Sequence, residues 1–226
     1  PALLCSGQSA TSTMVTNGEM YVSEGSATLT TINSAGKMTI TQARVTSTIV
    51  NFGGKMSLID DGYATSTVVN SGGMMTLSDM IIVGHQIACT QVNAGGKLLI
   101  ESGGITQTTI NSGASVMVSS SGKANATRVN FGGAMTIYGS ATATTVNSGG
   151  TINGFTVQED TYYASDIHVT NAYVNNSATL YGKQQTATST TVNSGGEMTV
   201  SHDGTATSTT GNSGGSRAGG WGGRGT

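Results

Sequence analysis

The chain has 226 residues, with 36% hydrophobic, 9% charged and 5% aromatic, 34 glycines, one proline and a net charge of −2. So little charge gives no steering field, which argues against a nucleic-acid partner or an anionic membrane surface. Helix formers are scarce while Thr, Val, Ile, Ser and Gly abound, so strands and turns are the expected elements, and no apolar run reaches the roughly 18 residues of a bilayer span.

The opening Pro1-Ala2-Leu3-Leu4-Cys5 lacks the charged and long apolar regions of a signal peptide, so the chain reads as a mature fragment or an excised piece of something longer. From there a unit recurs. A threonine stands two residues before the apolar residue that precedes an Asn, at Thr30, Thr48, Thr67, Thr90, Thr108, Thr127, Thr144, Thr190 and Thr209. These lead to Asn33, Asn51, Asn70, Asn93, Asn111, Asn130, Asn147, Asn193 and Asn212, spaced by 18, 19, 23, 18, 19, 17, 46 and 19 residues. The 46 splits into 28 plus 18 if Val174-Asn175-Asn176-Ser177 is a degenerate copy, and Val15-Thr16-Asn17-Gly18 is a shortened first one. Self-similarity at so short a period marks stacked supersecondary units. The expected fold is all-β, a single-stranded parallel β-helix of about eleven coils of 17–19 residues over positions 1–215, with a Gly-rich tail at 216–226.

The fullest copy is Ala187-Thr188-Ser189-Thr190-Thr191-Val192-Asn193-Ser194-Gly195-Gly196-Glu197-Met198-Thr199-Val200. Alternation predicts that Thr188, Thr190 and Val192 share the inward face of one strand and Met198 and Val200 that of the next. Two short strands cannot bury that face alone, so each coil stacks on its neighbours in parallel ladders. Gly-Gly is expected to supply the left-handed conformations of a tight corner, and each Asn amide to bond to the Asn one coil away. Met38, Met56, Met75, Met135 and Met198 form one core column, and the inward Thr hydroxyls are expected to donate along the ladder or to strand carbonyls. Outward residues such as Thr109, Thr145 and Thr191 then form regular, neutral rows suited to hydrogen-bonding with another copy.

Two cysteines are too few for a disulfide framework. Repeat alignment puts Cys5 beside Val22, Ile40 and Leu58, facing inward, and Cys89 beside Leu29, Ser47, Ser66 and Gln107, facing outward. Four coils apart is roughly 19 Å at the ~4.8 Å strand spacing, beyond the ~7 Å Cα separation a bridge tolerates.

The repeat is interrupted twice, near 79–86 and at 154–171. In a solenoid such insertions map to loops, often the binding ones. The second holds Asp160, Tyr162, Tyr163, Asp166 and His168, and tyrosine with acidic residues suits sugar or protein contacts, since rings stack while hydroxyl and carboxylate orient the ligand. Tyr162, Tyr163 and Asp160 are its candidate binding residues. The last copy has Gly211 where the others have Val or Ile, and the two arginines after it are too few for an RGG-like nucleic-acid tail.

Catalytic and metal signatures are missing. His85, His168 and His202 lie far apart in coil order, Asp60-Asp61-Gly62 and Glu159-Asp160 lack the calcium-binding solenoid repeat, and no P-loop lysine accompanies the Gly-Ser/Thr stretches. Asp160 with Asp166 is only a weak glycosidase-like pair. Neither an enzymatic activity, a metal nor a cofactor is expected.

The repeated Ala-Thr-x-Thr-Thr-Val-Asn-Ser-Gly-Gly-x-Met-Thr-Val unit, nearly intact at 141–152 and 187–200, resembles the repeat of AIDA-type autotransporter adhesins of Gram-negative bacteria, and the likeness covers about residues 8–215. The resemblance implies a passenger displayed outside the cell by an outer-membrane barrel, working in self-association, biofilm formation and host adhesion. It also implies a heptosyltransferase partner, with O-linked heptose on serines and threonines, and no direct membrane insertion of this stretch. Its partners would be the same protein on neighbouring cells and a host glycan or protein. The rival readings are an ice-binding solenoid, which needs its Thr columns outward and flat, and a glycan-binding or depolymerising tailspike-like solenoid, which needs paired acids in a groove.

Overall fold

The computed structural model describes residues 1–78, 87–147, 149–154, 167–170, 173–174, 179–183, 185–188, 191–193, 195, 197–201, 205–219 and 224–225. Among them every element is a strand or a turn, and the strands pair in parallel with their equivalents one coil away. The molecule is the expected parallel β-solenoid. A complete coil carries a long strand of five residues, a middle one of three and a narrow one of two, as in Lys37–Thr41, Arg44–Thr46 and Ile49–Val50. Long and middle strands form one 22-stranded sheet and the narrow strands an 11-stranded sheet, one strand per coil. Val174 pairs with Val146 and Val192, so the degenerate copy is a genuine coil.

The core follows from alternation within each strand. Met38, Met56, Met75, Met135 and Met198 are all buried in one column, continued by Met20, Leu98 and Val116. Val50, Val69, Val92, Ile110, Val129 and Val146 are fully buried at the narrow face. Thr30, Thr48, Thr67, Thr90, Thr108, Thr127 and Thr144 are buried as expected, but their hydroxyls make no hydrogen bond to the ladder or to a carbonyl. That expectation fails: each of these Oγ1 atoms is buried with no donor or acceptor within reach.

The two-strand reading of the repeat is also corrected. In each coil whose corner is described, the residue before the buried Thr is left-handed without being glycine, at φ 55 in Ser47, 54 in Ser66, 53 in Cys89 and 53 in Ala143. A left-handed residue turns the chain and resets the period-two alternation. The threonine preceding it therefore points outward: Thr28, Thr46, Thr65 and Thr142 are exposed while Thr30, Thr48, Thr67 and Thr144 are buried. In the fullest copy, Ser189 and Thr190 lie outside the described residues.

The glycine corner divides its labour. Gly53 has φ +70, whereas Gly54 has an ordinary φ and is required because a Cβ there would sit 2.5 Å from the Ile32 carbonyl oxygen of the coil below. Beside it runs the asparagine ladder. Asn51 Nδ2 donates to Asn33 Oδ1 at 2.9 Å, and the series continues through Asn70, Asn93, Asn111, Asn130 and Asn147 at 2.8 to 2.9 Å, undisturbed by the 23-residue spacing before Asn93.

Three boundaries move. Leu4, not Cys5, pairs with Val22, because a turn at Cys5, held by Gln8 bonds to both its N–H and its carbonyl, lifts the thiol out of the ladder and leaves it exposed. The second insertion is shorter than 154–171, since Thr151–Gly154 and Ile167–Thr170 are ladder strands. Ser216–Gly219, part of the expected tail, pairs with Glu197–Val200 as a further rung.

Candidate functional site

The solenoid presents three outward faces. On the narrow face, each two-residue strand whose burial is described, apart from Thr210–Gly211, buries its second side chain and turns its first toward solvent. This brings Thr109, Thr145 and Thr191 into one column, with Arg128 in register between Thr109 and Thr145 and Tyr173 between Thr145 and Thr191. All three threonines are half-buried. Their hydroxyls sit in a wall of neighbouring coils rather than on projecting stems. The column is uninterrupted through all 11 strands.

The middle face carries a threonine column that alternation alone had turned inward. Thr11, Thr28, Thr46 and Thr65 are in register and exposed, and Thr142, Thr170 and Thr188 continue the register further along. Thr65 Oγ1 donates to Thr46 Oγ1 at 3.4 Å. The left-handed residue after each of these threonines is the signal that would have revealed them, but a serine, alanine or glutamine in that position does not advertise positive φ. Beside this column Arg44 stacks over the Tyr63 ring, its guanidinium carbon 4.8 Å from the centroid.

The long face holds most of the charge. Lys37 lies 3.3 Å from Glu19, and the Tyr21 hydroxyl donates to the same carboxylate at 3.1 Å. The Tyr21 hydrogen bond and then Lys37 hold the Glu19 carboxyl below its ordinary range, and the carboxylate in turn raises the Tyr21 phenol. Tyr21 is exposed and Glu19 half-buried, so this is a surface adjustment. Among the described residues no three His, Cys, Asp or Glu side chains gather as a metal site. Cys89, outward as expected, is free and donates to Gln107 Oε1 at 3.0 Å.

Tyr162, Tyr163 and Asp160 lie outside the described residues, as does the insertion at 79–86. Their anchoring strands are informative. The first insertion connects Met74–Ser78 to Ile87–Ala88 and the second Thr151–Gly154 to Ile167–Thr170, so both leave the same corner, between the long and middle faces. Among the described residues, no insertion leaves from the narrow face or the glycine corner.

No helix among the described residues is long and apolar enough to cross a membrane. No family model and no curated protein matches the chain. A crystal structure of a TibC-catalyzed hyper-glycosylated fragment of TibA does match it, with a TM-score of 0.68 and 30% identity, covering 96% of this chain and 91% of that one. Because identity at that level is sustained along nearly the whole of both chains, this chain belongs to the family of β-solenoids that includes the TibA fragment.

Proposed function

We propose that the chain is the displayed passenger of an AIDA-type autotransporter adhesin, acting at the Gram-negative cell surface in self-association, biofilm formation and host adhesion. The observation that carries this reading is the end-to-end likeness to the TibA fragment. The passenger would be anchored through an outer-membrane barrel of a longer protein. The reading gives it no catalytic step and no cofactor.

The uninterrupted narrow face supports homotypic contact. Its outward column is mostly neutral and regularly spaced, so two copies can align without repulsion. A single net hydrogen bond contributes only about 0.5–1.5 kcal/mol, so adhesion would need many coils and many copies together. Replacing Thr109, Thr145 and Thr191 by Lys in one variant should abolish clumping of cells that display it, with circular dichroism and melting unchanged. Clumping that persists would mean that the interface lies away from these three threonines. Tyr162, Tyr163 and Asp160 would contact a host glycan or protein, and a Tyr162→Ala, Tyr163→Ala variant should lose host-cell binding while still clumping.

The TibA fragment is a product of TibC-catalyzed glycosylation, and this supports a heptosyltransferase partner for the present chain. The exposed threonines of the middle face, such as Thr46 and Thr65, would be accessible acceptors. Co-expression with a TibC-type transferase should add mass in whole heptose increments. An unchanged intact mass would refute the modification and leave the adhesin reading to the clumping assay.

A further inference from the structure

The nine large hydrophobic side chains exposed among the described residues are unevenly placed. Five of them lie on the narrow face or on the two corners that border it, and four of these, Met14 at 70% exposure, Leu29 at 54%, Ile49 at 39% and Phe52 at 73%, fall at the first three narrow strands, while the fifth, Phe131 at 70%, borders the seventh. Met14 is in register with Thr31, Thr31 with Ile49, and Ile49 with the half-buried Val68, so this is one continuous strip over the first four narrow strands. Leu29 sits on one flank, at the left-handed corner, with φ 55. Phe52 sits on the other, its ring lying against Gly72 of the next coil. Beyond the fourth strand the same outward column becomes Gln91, Thr109, Arg128 and Thr145. The face is therefore apolar at one end and polar along the rest.

We propose that this apolar strip is the contact through which one copy of the chain binds a second copy. The inference rests on the self-association reading above and adds where the pairwise contact is made. Three properties favour a second copy as the occupant. None of Met14, Thr31, Ile49 and Val68 is charged, so strip against strip brings no like charges together. The strip repeats at the ~4.8 Å strand spacing, so only another solenoid of the same pitch offers side chains in step with it along its length. The contact is also continuous with the neutral column of the same face, so two aligned copies extend it without a break. Four strands span roughly 14 Å between the first and the last, and a strip of that length with its flanks covers only a few hundred Å² per partner. An interface well below about 800 Å² per partner is weak, which suits a contact multiplied across two cell surfaces. A patch that meets its own copy closes as a dimer.

Sedimentation velocity on the soluble chain, at concentrations up to about 1 mM, tests this directly. The chain should show a concentration-dependent monomer–dimer equilibrium. A Met14→Lys, Ile49→Lys variant should weaken it at least tenfold with unchanged melting, since both side chains point to solvent, while the Thr109→Lys, Thr145→Lys, Thr191→Lys variant should still dimerise. Dimerisation that survives the first variant overturns the strip as the contact. Loss only in the threonine variant overturns it too, and leaves self-association standing through the polar column. A chain that stays monomeric throughout also overturns the strip, and the cell-clumping assay then decides the broader reading on its own.

Discussion

Each buried threonine of the repeat carries a hydroxyl that finds no partner. Thr48, Thr67 and Thr108 are fully buried with Oγ1 unpaired, and a buried unsatisfied polar group costs about 1–3 kcal/mol. Valine is close in size and removes the hydroxyl. Thr67→Val should therefore raise stability by about 1 kcal/mol, the lower part of that range, because the site is tightly walled and a methyl in place of the hydroxyl gains little packing. A urea midpoint shifted upward supports this account. A downward shift would mean that the hydroxyl is satisfied in solution. The neighbouring exposed threonines make the complementary case for chemistry. Peptide mapping of glycosylated chain should find sugar at Thr46 or Thr65 and none at Thr48 or Thr67, which no transferase can reach in the folded coil. Sugar at the buried pair would show that modification precedes folding.

At the scale of one coil, stability comes from registered columns. Val146 is fully buried in the narrow strand Thr145–Val146, paired with Val129 on one side and Val174 on the other. Val146→Asp sets a carboxylate among those valines, where no cation waits to pair with it. Burying an unpaired charge costs several kcal/mol even after the group neutralises itself. The expected result is a large fall in melting temperature, and an unchanged melt would refute the inward assignment. The asparagine ladder is the polar counterpart: each amide both donates and accepts along the axis, so every rung from Asn51 to Asn130 is bonded on two sides. The ladder also explains why a coil lengthened to 23 residues is harmless. Extra chain leaves at the opposite corner and returns before the Asn.

Across the whole molecule, each coil touches only its neighbours, so stability accumulates along the axis rather than around a single centre. The same architecture separates the tasks. Both insertions leave from one corner, while the narrow strands pair without a break through all 11 coils. A rod of this kind can hold a variable loop on one edge and meet another rod along a different one. The uneven distribution of apolar side chains on the narrow face gives the rod a direction, with its first coils the stickier end.

The repeat by itself determined a good deal. The period of Thr, Asn and Gly-Gly dictated a parallel solenoid, its number of coils, the methionine column, the asparagine ladder and the burial of the repeat threonines from Thr30 to Thr144, because stacking forces equivalent residues into register. What only the tertiary structure decided lies at the corners. Positive φ at Ser47, Ser66 or Ala143 carries no mark in the residue type, yet it splits one expected strand into two and turns Thr46, Thr65 and Thr142 outward. The place of Cys5 likewise depended on a local turn that shifts the first copy by one residue. The candidate surface was half legible for the same reason. Sequence pattern gave the outward parity of Thr109, Thr145 and Thr191, but their union in one column with Arg128 and Tyr173, and the apolar strip formed by Met14, Ile49 and Val68, exist only once coils of 17 to 28 residues are stacked at one strand spacing.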